Sequence, residues 1–171
     1  MAFVHSHPLG AQQYRVTSPF GFRVGGQPVL TSDIFGLGQL MRKYLTRLEF
    51  HTGTDYVDVH SATGDLHACA NGKVVAHGFD RASGNFVKIS FDFIDGRKWT
   101  GLYAHMVAPS AVKTGDNVKV GQWVGNIGNT GNSFGNHLHF EVLDDLGIKR
   151  DPELWLENLR LIAAIRKHEG K

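Results

Sequence analysis

The 171-residue sequence has one cysteine, five prolines and a net charge of only +2. No apolar run in it approaches the roughly 20 residues that span a bilayer, so no membrane span is expected. With Cys69 alone, no intramolecular disulfide can form and a cysteine-built zinc site is excluded. Cys69 itself, within Leu66-His67-Ala68-Cys69-Ala70, reads as a buried small hydrophobe. The 18 Lys and Arg against 16 Asp and Glu lack the basic excess of a general nucleic-acid binder, so no nucleic-acid partner is expected. The opening Met-Ala-Phe-Val-His-Ser-His-Pro lacks a basic stretch followed by an apolar run. No secretory signal is therefore read, and work outside the cytoplasm would need another route of export or release.

What is abundant is glycine, at 21 residues, and histidine, at 10. The first points to many tight turns and the second invites a search for a metal site. The apolar fraction of 42% with 20% charged residues is that of a globular chain, and the length suits one domain over 1–171.

Residues Tyr14 to Arg23 read as a strand entering a turn at Ser18-Pro19-Phe20-Gly21. Apolar residues at Ile34, Leu37, Leu40, Met41, Tyr44, Leu45 and Leu48 recur at helical spacing, which predicts a helix over Ile34–Leu48 inside an insert spanning 28–49. From Phe50 to Glu141 the texture changes to short strands punctuated by Gly, Asn and Asp. Asp55-Tyr-Val-Asp-Val, Gly72-Lys-Val-Val-Ala, Asn85-Phe-Val-Lys-Ile-Ser-Phe and Trp99-Thr-Gly-Leu-Tyr-Ala are the clearest. Asp95-Gly96 is a hairpin-turn dipeptide between two of them. Strands at such spacing predict a mostly β, antiparallel fold, a sandwich or open barrel. A last helix is expected over about 151–168, with Asp151 as N-cap and Pro152 at its first position.

Three short patterns carry the chemistry: His51-Thr-Gly-Thr-Asp55, Tyr103-Ala-His105-Met106, and His137-Leu-His139-Phe-Glu141. In the last, the strand period of two puts both imidazoles on one face. A catalytic zinc site takes three protein ligands from His and Asp or Glu and leaves a position for water. His51, Asp55 and one of His137 and His139 would supply that set. The two histidines left over would stand free to move protons or stabilise an oxyanion.

With these flanks the chain resembles the lysostaphin-type, LytM-like zinc endopeptidases that cut peptidoglycan peptides. The resemblance runs from about Thr17 to Leu156. Ser18-Pro19-Phe20-Gly21-Phe22-Arg23 looks like the family's opening turn, and His51-Thr-Gly-Thr-Asp55-Tyr like its first metal motif. Gly125-Asn-Ile-Gly-Asn-Thr-Gly-Asn-Ser-Phe-Gly-Asn-His-Leu-His-Phe-Glu141 looks like its glycine-rich approach to the His-X-His strand. The resemblance implies one Zn²⁺ held by His51, Asp55 and His139, with His105 and His137 as unliganded catalytic histidines. It implies zinc-dependent cleavage of peptide bonds in bacterial peptidoglycan, by a monomer acting at the cell wall in the periplasm or outside the cell. The missing signal and wall-binding module suggest a bacteriophage lysin or virion-associated hydrolase. A non-catalytic relative serving as a binding module or a phage-tail piece is the alternative, and the filled site positions argue against it.

Two residues depart from the family pattern: Phe134 and Asn136 stand where Thr and Pro are usual. Lys113-Thr-Gly-Asp-Asn-Val-Lys-Val-Gly-Gln-Trp123 is similar to the hairpin of biotinyl and lipoyl carriers, but no Met-Lys or Asp-Lys pair offers a modifiable lysine, so a structural hairpin is expected. His5, His7 and His168 read as terminal, and His60, His67 and His77 as bystanders, with His60 the nearest to the cleft. Asp58 reads first as a solvated strand carboxylate and second as a support for a ligand imidazole, and Tyr103 and Asn85 are candidates for holding substrate.

Overall fold

A computed structural model describes residues 6–10, 13–24, 27–28, 48–93 and 96–168. The centre of the fold is an eight-stranded sheet, antiparallel throughout and open rather than closed. Its strands are β1 (Tyr14–Ser18), β5 (Thr54–Asp58), β12 (Leu138–Leu143), β9 (Lys98–Met106), β8 (Gly84–Asp92), β7 (Gly72–Asp80) and β10 (Asn117–Val118) in that spatial order, with β13 (Lys149–Arg150) paired to β12. A three-stranded sheet joins β2 (Gly21–Val24) to β3 (Gln27–Pro28) and β4 (Leu48–His51), and β6 (Asp65–His67) pairs with β11 (Trp123–Asn126). The mostly β, antiparallel architecture expected from the sequence is what the chain forms.

Strand β12 shows why one strand can serve core and site together. Leu138, Phe140 and Val142 are buried in the core, while His139 and Glu141, of opposite parity, face the other side of the sheet. Below the sheet lies α1 (Pro152–His168), started by Asp151, whose Oδ1 accepts the backbone N–H of Glu153 at 2.9 Å. The helix sends Trp155, Leu156 and Leu159 into the same core, where the Trp155 ring meets Phe91, Trp99 and Phe140. These side chains anchor β12 from beneath, so its upper face is a rigid platform.

Three expectations need correction. The expected helix ends in Leu48, yet Leu48 lies in β4, paired with Val24. Pro28 in β3 and Glu49 in β4 bound the segment expected as an insert. Leu48-Glu-Phe-His51 alternates apolar and polar, and β2 offers that strand a partner; the rest of the expected helix, 34–47, lies outside the described residues. Lys113–Trp123 is not a hairpin: β10 pairs with β7 while β11 pairs with β6, so the segment crosses between sheets. His7 is not a loose terminal residue but is buried, stacked on Tyr14 with ring centroids 3.7 Å apart. Its neighbour Leu9 is fully buried in the core. Asp95 lies outside the described residues, but the backbone bonds of Phe93 with Gly96 and Arg97 close the turn it was expected to mark.

Candidate active site

His51 stands at the end of β4, and the turn Thr52-Gly53 sends the chain into β5, so that Asp55 follows four residues later. Asp55 is the direct cross-strand partner of His139 on β12. The turn needs Gly53. A Cβ there would lie 2.5 Å from the Phe140 carbonyl oxygen and 2.8 Å from Cε1 and Nε2 of His139. Both contacts are closer than real Cβ atoms come, so only glycine lets the turn pass this close to the imidazole.

Three atoms from three segments thereby converge. His139 Nδ1 lies 2.8 Å from Asp55 Oδ1, His51 Nε2 lies 3.1 Å from the same oxygen, and the two nitrogens are 3.1 Å apart. Among the described residues this is the group of His, Cys, Asp and Glu side chains able to hold a metal ion. Tetrahedral ligands about 2.0–2.1 Å from a zinc ion stand about 3.3 Å apart, so a few tenths of an ångström of opening accommodates one. The far ring nitrogens fit the same purpose. His51 Nδ1–H donates to the Pro19 carbonyl at 2.8 Å, and His139 Nε2 faces Glu141 Oε1 at 3.3 Å. An acceptor on the outer nitrogen leaves the inner one as the ligand atom. The residues present fit the metal.

Burial alone would raise the Asp55 carboxyl, but hydrogen bonds from His139 and His51 outweigh it and hold the group well below the usual carboxylate range. Burial would also raise Glu141, yet the hydrogen bonds of His139, Lys149 and Thr52 hold it at about 2. For His139, burial opposes the charged ring, and its bonds to Asp55 and Glu141 more than compensate and raise it.

Two more imidazoles face this group. His137 Nδ1–H donates to the Gly135 carbonyl at 2.8 Å, and its Nε2 lies 3.7 Å from Asp55 Oδ1. His105 sits where β9 departs from its pairing with β8, at a φ of 62°, the positive-φ non-glycine residue among those described. Its Nδ1–H donates to the Thr130 carbonyl at 2.9 Å, and its ring centroid is 4.8 Å from that of His137. Burial lowers its basicity, so it stays neutral below the pH at which an ordinary imidazole protonates. The five residues expected from the sequence, His51, Asp55, His105, His137 and His139, thus line one cleft of about 830 Å³. Phe134, fully exposed, stands on the loop at its rim, and Arg23 approaches Asp55 Oδ2 at 3.4 Å.

The lesser candidates do not line this cleft. Tyr103 is fully buried with its hydroxyl against Cys69, out of reach of a substrate. Asp58 caps a turn by accepting the N–H groups of His60 and Ser61, and His60 faces Gln13. Asn85 donates to the Met106 carbonyl and braces the strand end that carries His105. Glu141 and Thr52 were missed. Glu141 could have been suspected, since it shares the strand face of His137 and His139 in the sequence.

The sequence profile of peptidase family M23 matches residues 49–152, and the chain belongs to that family. It is 34% identical over 106 residues to the peptidoglycan DD-endopeptidase ShyC of Vibrio cholerae, a match covering 62% of this chain and 23% of that protein. Among solved structures it resembles a zinc-containing peptidase from Vibrio cholerae, at 26% identity and a TM-score of 0.59 over 88% of this chain and 39% of the other. It also resembles lysostaphin from Staphylococcus simulans, at 25% identity and a TM-score of 0.64 over 93% and 55%. The chain spans about a quarter of the length of the curated relatives it matches.

Proposed function

We propose that this protein is a zinc-dependent endopeptidase that hydrolyses peptide bonds in the stems or cross-bridges of bacterial peptidoglycan, acting at the cell wall as one catalytic unit over 1–171. His51, Asp55 and His139 are the ligands of one Zn²⁺, and His105 and His137 are the catalytic histidines. The observation that carries this reading is the convergence of three ligand atoms within 2.8–3.1 Å beneath two further imidazoles in one cleft. Membership of a peptidase family supports it, as does the likeness to a peptidoglycan endopeptidase.

When bound, the zinc ion supplies Lewis acidity that activates water and polarises the scissile carbonyl. The residues do the rest. His105 and His137 each have Nδ1–H fixed on a backbone carbonyl, so each offers a bare Nε2 to the cleft. One takes the proton of the attacking water and passes it to the leaving amine, and the other, protonated, steadies the charge that grows on the carbonyl oxygen. The same fixed orientation spares the reaction the cost of reorganising them.

The test is digestion of purified walls of two chemotypes, one with direct cross-links and one with glycine bridges, followed by mass spectrometry of the released fragments. New amine and carboxyl ends at peptide bonds, with glycan chains intact, are expected from the zinc-loaded protein and not after chelation. Release of cut glycan alone, or of nothing from either wall, would refute the assignment.

A further inference from the structure

We propose that Glu141 is the positioning residue of the metal centre, clamped by Lys149 so that it holds the outer nitrogen of His139 and ties the Thr52 turn to the same point. The inference rests on the zinc reading above and adds to it the device that aims the ligands.

Glu141 is an acidic side chain only 6% exposed, in a strand whose other face is the apolar core. A buried carboxylate is costly unless its oxygens are well bonded, so its presence needs a reason in what it touches. A single oxygen, Oε1, receives three elements. Lys149 Nζ donates to it from β13 at 2.6 Å, His139 Nε2 from the same strand at 3.3 Å, and the Thr52 hydroxyl from the turn between β4 and β5. Thr52 directly follows His51, and Gly53 packs against the His139 ring. Glu141 therefore sits where the segments bearing the three metal-facing atoms meet.

The two imidazoles are not supported alike. His51 rests on the Pro19 carbonyl, a neutral acceptor, whereas His139 rests on a carboxylate. A charged acceptor on the outer nitrogen fixes which nitrogen faces inward and makes that nitrogen the stronger donor to a metal. Without Glu141, the His139 ring loses the acceptor on its outer nitrogen, and the Thr52 hydroxyl loses its tie to β12. Lys149, with 37% of its side chain exposed, could have pointed to water. It folds back on Glu141 instead and donates to Oε1 at 2.6 Å.

The experiment measures Zn²⁺ affinity by competition with a chelating indicator for the wild type, Glu141→Gln and Glu141→Ala, with thermal unfolding of each metal-free protein. Glu141→Ala should bind Zn²⁺ about 10–100-fold more weakly. The isosteric Glu141→Gln, which can still accept from His139 but carries no charge, should lose less than Glu141→Ala yet bind measurably more weakly than the wild type, while unfolding near the wild-type temperature. A second readout needs no metal: in ¹⁵N-histidine-labelled protein, the His139 Nε2–H signal should exchange slowly in the wild type and Glu141→Gln and vanish in Glu141→Ala. Wild-type zinc affinity in Glu141→Gln, or an unchanged His139 signal in folded Glu141→Ala, overturns the assignment. If the wild type binds no Zn²⁺, the zinc reading falls, whereas the His139 signal still decides what Glu141 does.

Discussion

His105 Nδ1–H donates to the backbone carbonyl of Thr130 at 2.9 Å, while the Thr130 hydroxyl bonds the Met106 carbonyl and the Asn85 N–H. One residue thus holds the ring of His105 and both strands beside it. That support sustains a backbone conformation costing on the order of 1–3 kcal/mol, the kind of strain found where a side chain must be aimed. His105→Ala and His137→Ala should each keep zinc and lose about 10²–10⁴-fold in rate, the usual loss for a proton-transfer group. Metal content measured beside turnover decides this. Loss of zinc from either variant would exchange the assigned roles.

The ligands should behave in the opposite way. His139→Ala removes an atom that lies 2.8 Å from Asp55 and 3.1 Å from His51, so metal and activity should disappear together. Chelation of the wild type should give the same state, and added Zn²⁺ should restore the wild type alone. Full wall hydrolysis by a verified metal-free His139→Ala protein would end the zinc assignment.

Gly53→Ala tests the turn. Its Cβ would meet the Phe140 carbonyl oxygen at 2.5 Å, a backbone atom that cannot rotate away, and the His139 ring at 2.8 Å. Either the turn or the imidazole must shift. Zinc affinity should fall with stability, because a misplacement of about 1 Å at a catalytic centre can cost about 10²-fold. A fully active Gly53→Ala protein would mean that the turn has slack these distances deny.

Four of the five residues that line the cleft could be picked out because their spacing is local, four residues from His51 to Asp55 around a turn and two from His137 to His139 along a strand, while His105 stands alone on its strand. Which of His137 and His139 joins His51 and Asp55 in the group able to hold a metal was not legible from spacing. That depends on Asp55 standing opposite His139 in the register of β5 and β12, a long-range pairing. The β texture was legible for a similar reason, since alternation is a local signal. The crossing of Lys113–Trp123 between two sheets was not, because β10 and β11 choose partners far away in the chain. Leu48 shows the limit of periodicity: its place in a helical series and in the alternating Leu48-Glu-Phe-His51 fit equally well, and pairing with β2 decided for the strand.

His7 supplies a prediction about stability against pH. The ring stacks on Tyr14, meets Tyr56 edge-on, accepts the Leu9 N–H at 3.1 Å through Nδ1, and has no partner for Nε2 among the described residues. Burial, helped by the positive charge of Arg160, lowers its pKa from 6.5 to about 3. The other titratable groups around it are Tyr14, which accepts from Arg160, and Tyr56, which donates to Glu153. Because the folded-state value is depressed, the unfolded chain takes up a proton first as the pH falls. The stability tied to neutral His7 is therefore complete above pH 6.5 and drains away as the pH falls toward 3. The slope from this one group approaches about 1.4 kcal/mol per pH unit. Urea unfolding in chelator at pH 7, 6 and 5.5, above the range in which the carboxylates of the unfolded chain take up protons, should show a steeper loss of stability in the wild type than in a variant lacking the imidazole. His7→Phe keeps an aromatic ring against Tyr14 but leaves the Leu9 N–H unpaired, so it should cost about 1–3 kcal/mol at pH 7 and flatten the acid slope. Parallel pH profiles for wild type and His7→Phe would show that the buried imidazole plays no part in the acid lability of the fold.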